Sequence, residues 1–326
     1  KIISDKRFTY SEAQSILDNK SGILFDELSI IKKIALKLRK KRLSSGAIMF
    51  NKKEMGFKLN DQKHPIDIFV KESYFTQKII EELMLLTNIT VANFLKSKNI
   101  SNAVFRVHDV PDKDKLLSLK SLAFEFNYNL DISNKIAVKR SLNKLLEKVE
   151  GTTEQGLFEP LVIRSMAKAE YSSKNIGHYG LSLNDYVHFT SPIRRYADLI
   201  VHRIIDSILN NKPFSKSFEG VCKHISKKER EASMAERESI KLMQIKYMEK
   251  HVGDTFRGVI SGVVDHGFFV ELIQNGCEGF VRASSLKGFY QIDNKKVALV
   301  NNDNKFTLGQ SVDVKVIRSD SNKRLL

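Results

Sequence analysis

The hydrophobic period of this chain changes at Val252, and that change constrains what it can fold into more than any other feature. Upstream, apolar residues recur at three- and four-residue steps with Lys and Arg between them, as at Leu24, Leu28, Ile31, Ala35 and Leu38. That spacing marks amphipathic helices. It predicts further helices over Tyr74–Lys98, Asn134–Lys148, Glu154–Ala169, Ile193–Leu209 and Phe218–Lys250, with Pro192 opening the fourth. Short strands are expected at Gly46–Phe50 and Ala103–Val107. From Gly253 onward the segments TFRGVISGVV, GFFVELI, CEGFVRAS and SVDVKVI alternate and are separated by Gly, Asn and Asp. Short strands at that spacing suggest a small all-β barrel. The reading is an α+β chain of two domains, 1–250 and 251–326, joined by a charged hinge at Met248–Asp254.

With 326 residues and 42% hydrophobic content, there is enough apolar surface for two cores. Lys and Arg total 54 against 38 Asp and Glu, a formal net charge of +16. Such an excess suits polyanions, because phosphate neutralisation releases condensed counterions. An anionic membrane surface or Lys-rich codon usage would also account for it. No apolar run approaches the roughly 18 residues of a membrane span, and no signal peptide opens the chain. Cys222 and Cys277 fall in different domains without metal-ligand spacing, so free buried thiols in a reducing, cytoplasmic setting are expected.

Residues 177–203 read GHYGLSLNDYVHFTSPIRRYADLIVHR. A turn feeding a helix N-terminus presents unpaired N–H groups to an anion. Arg194 and Arg195 fall in the first turn of the predicted helix, where the dipole disfavours cations. A bound phosphate would offset that cost through a bidentate guanidinium contact. The plainer reading pairs these arginines with acidic groups such as Asp198. His202, four residues beyond Asp198, reads as its structural hydrogen-bonding partner. His178 and His188 have metal-ligating side chains but no carboxylate cluster beside them.

This segment resembles the signature of the RNB-type exoribonucleases, the ribonuclease II and ribonuclease R family, on its ribonuclease R side. The resemblance is carried by His178, Gly180, Leu181, Tyr186, His188, Phe189, TSPIRRY from Thr190 to Tyr196, Asp198, His202 and Arg203. Tyr179 stands where the family more often has Phe. SDKRFTYSEAQ, IIEELMLLTNITVANF, FRVHDVP, IRSMAKAEY and SMAERE agree in order, so the resemblance spans the chain. It implies processive 3′→5′ hydrolysis of single-stranded or structured RNA to nucleoside 5′-monophosphates by a monomer using Mg²⁺. Arg194 would be the catalytic arginine. Phe50 would stack on 3′-terminal bases, Glu82 would contact RNA, and Glu236 would contact it near the catalytic centre. His188, Arg195 and Tyr196 complete the implied RNA-contacting set in the catalytic domain.

Residues 253–326 resemble the S1-type RNA-binding domain, a five-stranded OB-fold barrel. Phe256, His266 and Phe268 are the implied RNA contacts, and Arg282 stands where the family usually has histidine. Strand alternation sends one of Phe268 and Phe269 outward and the other into the core.

The family's metal-holding aspartate cluster has no counterpart here: Asp61 and Asp67 are isolated, and Asp109 and Asp112 belong to FRVHDVPD. The expectation is therefore the C-terminal part of an RNB catalytic domain with its S1-type barrel, with no metal ligands in this chain and no activity by itself. A non-catalytic RNA-binding remnant is the alternative. A translation-associated scaffold explains the barrel and leaves TSPIRRY without a purpose.

Overall fold

Residues 3–48, 54–100, 102–152, 154–214, 217–293 and 297–326 are described in a computed structural model. By their contacts, the residues sort into two units, each made of separate stretches of chain. The first unit takes residues 1–48, 72–110 and 168–229; the second takes 49–71, 111–167 and 230–326.

In the first unit, α1 (Tyr10–Asn19) starts at a capping box in which Thr9 Oγ1 accepts from Glu12 N and Thr9 N donates to the Glu12 carboxylate. Helices α2 (Phe25–Ser44) and α3 (Phe75–Ser97) follow the predicted stripes closely. Leu24 stands ahead of α2 in the left-handed region, with φ 58°. Leu17, Ala35 and Ile79 join the three helices in a small core. A larger core gathers Leu95, Val104, Val107, Val187, Val201, Ile204 and Cys222. It is built on the antiparallel pair β3 (Phe105–Val107) and β4 (Glu170–Ser172), on α7 (Tyr196–Leu209), and on the first part of α8 (Glu219–Met248).

Some boundaries in this unit differ from the sequence reading. Gly46, at φ 89°, donates to Leu43 O, and Ala47 donates to Arg42 O, so Gly46–Ile48 closes α2 rather than opening a strand. The remainder of that expected strand, including Phe50, lies outside the described residues. Helix α7 begins at Tyr196, not at Pro192. The amides of Arg194 and Arg195 both donate to Ser191 O, closing a tight turn, and Arg195 is extended at φ −122°, ψ 113°.

In the second unit, β1 (Met55–Leu59) and β2 (Pro65–Val70) form a hairpin that the sequence reading did not anticipate. Helices α4 (Lys113–Glu125), α5 (Lys135–Val149) and α6 (Gln155–Ser165) pack on one another. Phe158 is fully buried among them, with the edges of Phe126 and Tyr128 against it. Helix α6 stops at Ser165, four residues short of the predicted end, because Met166 is extended.

The barrel region forms two sheets. One has the order β11 (Ser311–Lys315), β5 (Thr255–Val264), β6 (Gly267–Leu272), β7 (Glu278–Arg282). The other joins β8 (Gln291–Ile292), β9 (Ala298–Val300) and β10 (Lys305–Thr307). Ile260, Phe268, Val270, Leu272 and Leu299 fill the space between them, together with Met248 of α8 and Ile68 of β2. Cys222 and Cys277 are both free and buried, and burial pushes their thiols up to about 11 and about 12. Among the described residues no helix is long and apolar enough to cross a membrane.

Helix α6 rests directly on the loop before β11. Gly309 has φ 83°, and a Cβ there would lie 2.7 Å from Leu157 N and 3.0 Å from Gly156 C. Gly309→Ala therefore has to move α6 as well as adopt a disfavoured backbone. We predict a loss of about 1–3 kcal/mol, read as a lower urea midpoint; an unchanged midpoint would show that α6 yields freely.

Candidate functional site

The signature segment is held by backbone pairing before its side chains do anything. Arg106 N donates to Tyr186 O, His108 N to Gly177 O, and Tyr179 N to His108 O, which lays residues 177–187 alongside β3. The rings of the two stretches then meet in a row, His108 and His178 stacked and the rest edge to face. His108 and His178 lie 5.1 Å apart, His178 and Tyr186 5.5 Å, Tyr186 and His188 5.6 Å, and His188 and Tyr171 5.7 Å. From α3, buried Asn88 donates to Tyr186 Oη at 3.0 Å and accepts from Phe189 N at 2.9 Å. Arg106 lies over the Tyr171 ring at 4.7 Å and reaches Glu229 at 2.6 Å.

His188 was an expected RNA contact, and its surroundings assign it a different part. Its Nδ1 is bonded to Tyr171 Oη at 2.9 Å. Burial, reinforced by Arg195 and Arg106, pulls its pKa down to about 2, while burial pushes Tyr171 up to about 12. Both groups stay neutral across the working pH range, so His188 supplies no charge for a phosphate. It is a packing and hydrogen-bonding element beneath the turn.

Asp198 fixes that turn. It is fully buried in the first turn of α7, where a carboxylate is favoured. Its Oδ1 accepts from Ser191 N and from Arg195 Nη2, each at 2.8 Å. His202 does not bond Asp198 as the sequence spacing suggested. Its Nε2 meets Phe189 O at 2.9 Å, and its ring stacks on Phe189 at 3.8 Å with planes 2° apart. Phe189 is thus fixed on both sides, by Asn88 and by His202.

The other side of the turn is open. Ile193 is fully exposed, Arg194 is exposed, and Tyr196 is half exposed. Arg194 makes no ion pair among the described residues, whereas Arg195 is committed to Asp198. The two adjacent arginines therefore have different environments: Arg195 braces the turn, and Arg194 is free to meet an anion.

Other expected contacts fall elsewhere. Glu82 is 3% exposed and forms an ion pair with Arg42, with Arg39 at 3.6 Å. Its expected RNA contact does not fit this burial: the carboxylate ties α3 to α2. Glu236 lies exposed on α8 in the second unit.

In the barrel, Phe268 faces inward at 2% exposure, stacked 4.9 Å from Phe306, so its expected RNA contact is also corrected. Phe256 packs against the barrel core, with its edge toward His251. The outward ring is Phe269, which pairs across the strands with Phe280 at 4.9 Å. Exposed His266 lies 5.3 Å from Phe280, and Arg282 is exposed two residues further along β7. Phe280, Asn88 and Tyr171 were not foreseen as site residues. The one signal for Asn88 was a lone amide within the apolar run LMLLTNITV.

Among the described residues no group of three or more His, Cys, Asp or Glu side chains could hold a metal ion. The described residues do not fit the Mg²⁺ site that the resemblance implied.

A sequence profile of the RNB domain matches residues 1–211, and one of the S1 RNA binding domain matches residues 249–326. The chain belongs to the RNB family and carries an S1-type domain after its RNB segment, its strands arranged in two sheets rather than one closed five-stranded barrel. More particularly, it is similar to ribonuclease R of Aquifex aeolicus, 35% identical over 99% of this chain and 47% of that protein. It is also similar to ribonuclease R of Escherichia coli, 32% identical over 96% of this chain and 41% of that one. The chain spans about half the length of these relatives. Ribonuclease R of Mycoplasma genitalium, solved with ribose-methylated single-stranded RNA, superposes with a TM-score of 0.89 at 26% identity, over 99% of this chain and 53% of that one.

The buried neutral histidine has a thermodynamic signature. Between pH 6.5 and about 2 the unfolded chain binds a proton at His188 that the folded chain refuses. Its contribution to stability is complete above pH 6.5 and declines as pH falls, by at most about 1.4 kcal/mol per pH unit. We predict that His188→Gln flattens the dependence of unfolding free energy on pH between 6.5 and 5. Equal slopes for both proteins would show that His188 protonates inside the fold.

Proposed function

We propose that this chain is the RNA-gripping part of a processive 3′→5′ exoribonuclease that releases nucleoside 5′-monophosphates. The observation that carries the reading is the division of labour in the turn. Asp198 neutralises Arg195 and fixes Ser191, while Arg194 next to it stays exposed and without a carboxylate. A guanidinium held on a braced turn meets the non-bridging oxygens of a phosphodiester and stabilises the charge that develops during cleavage. Tyr196, half exposed one residue past Arg195, offers a ring beside the same strand. The outward rings of the barrel stack on bases without reading their identity, which suits a strand that must move through. Substrate is single-stranded RNA, or structured RNA entered from a free 3′ end.

Mg²⁺, implied by the family, would clamp attacking and leaving oxygens when bound. No step is assigned to it through this chain's residues, since the described carboxylates form no site for it. That same observation favours a second reading, a non-catalytic RNA-binding remnant.

The purified chain separates the two steps of binding and hydrolysis. We predict that it binds single-stranded RNA with affinity that falls steeply with salt and releases no mononucleotides in Mg²⁺. Mononucleotide release would overturn the view that the chain lacks its metal site. Where the chain is completed by a metal-holding carboxylate cluster, Arg194→Ala abolishes turnover and leaves RNA affinity within a few-fold. Under the remnant reading no such completion restores turnover, and equal losses of binding and rate would make Arg194 a positioning residue.

A further inference from the structure

The outward face of β5–β7 is unevenly charged. At one end Arg282 pairs in register with Gly267, next to exposed His266. In the middle lie the Phe269 and Phe280 rings. At the other end, exposed Glu271 and Glu278 sit opposite each other, and Ser261 Oγ donates to Glu278 Oε2 at 2.8 Å. A strand laid along the rings would meet the Arg282 cation at the first end and two carboxylates at the second, where its phosphates would be repelled.

Helix α6 changes that second end. It runs beside β5 within the same unit: a Cβ on Gly156 would lie 3.2 Å from Gly309 Cα and 3.5 Å from Val259 Cγ1. Two turns later Arg164 Nη2 donates to Ser261 O at 3.1 Å. A Cβ on Gly262 would lie 3.4 Å from Phe269 Cδ2 and 3.8 Å from Arg164 Nη2, so ring and guanidinium border the same point. The Arg164 side chain is exposed and makes no ion pair among the described residues. A single backbone carbonyl uses one of its five donors.

We propose that Arg164 is an RNA-binding residue, lent by α6 to the barrel face, which grips a backbone phosphate of a strand stacked on Phe269 and Phe280. The proposal rests on the reading that this face binds RNA. It adds a cation from outside the barrel sequence, placed where the barrel's own residues are acidic. A guanidinium suits the position: its planar fork bonds Ser261 O with one edge and leaves another for phosphate.

The test uses the whole chain, a fluorescent uridine oligoribonucleotide and anisotropy titrations over a range of salt. Arg164→Gln keeps a donor for Ser261 O and removes the charge; Arg164→Lys keeps the charge. Arg164→Gln is expected to weaken binding about fivefold to tenfold, and to reduce the slope of log affinity against log salt by about 0.7. Arg164→Lys keeps the wild-type slope, and neither variant shifts the thermal midpoint. Wild-type affinity and slope in Arg164→Gln, with Phe269→Ala still weakened, would overturn the role of Arg164 while leaving the face as an RNA site. Wild-type binding in both Arg164→Gln and Phe269→Ala would overturn the reading of the face itself. A lowered midpoint with an unchanged slope in Arg164→Gln would make the residue only a strap between α6 and β5.

Discussion

A single buried carboxylate organises the turn on which the rest of the signature segment depends. Asp198 lies at 0% exposure, where an unpaired charge would cost several kcal/mol. The Ser191 amide and the Arg195 guanidinium offset that cost, and both come from the turn just before its helix. Pairing Oδ1 therefore closes the turn, while Oδ2 stays buried with no hydrogen-bond partner among the described residues. Once it is closed, Arg195 has no charge to offer, and Ile193, Arg194 and Tyr196 are pushed into solvent. Adjacent arginines that look equivalent in the sequence become a brace and a probe.

The layer beneath the turn is rigid for related reasons. Phe189 is held through its backbone by Asn88 and His202 and through its ring by His202. The His188–Tyr171 pair is kept neutral by burial, so nothing in that layer competes with Arg194 for an anion. In the second unit the pleat divides Phe268 from Phe269, sending one into the core and leaving the other on the surface beside Phe280. Each unit thus leaves groups at its surface that suit the proposed RNA strand, an exposed cation in the first and outward rings in the second.

Much of this was legible beforehand, and the exceptions have physical causes. Helices α2, α3, α5 and α8 carried a long apolar stripe, and their observed bounds lie close to those the stripe predicts. The hairpin β1–β2 was invisible because its burial pattern leaves few residues covered, so Met55–Leu59 and Pro65–Val70 lack clean alternation. The start of α7 was misplaced because Pro192 is a favoured helix opener, and only the tertiary bond from Ser191 N to Asp198 shifts the start by a turn. Glu82 was assigned to RNA because nothing local reveals that Arg42, forty residues away in sequence, pairs with it. Alternation told that Phe268 and Phe269 point oppositely; which one faces out depends on the register of β6 with β5 and β7. Arg194 stood out in the sequence, while the reason it is free lies in the partner that Arg195 takes.

The central claim is that the braced turn presents Arg194 to RNA. Photo-crosslinking tests it directly, using a short oligoribonucleotide with a photoreactive base at its 3′ terminus and mapping the adducts on the chain by mass spectrometry. The account predicts adducts within 192–196, lost when unlabelled single-stranded RNA competes. Adducts confined to the helices of 113–149, with none in the turn, would contradict it.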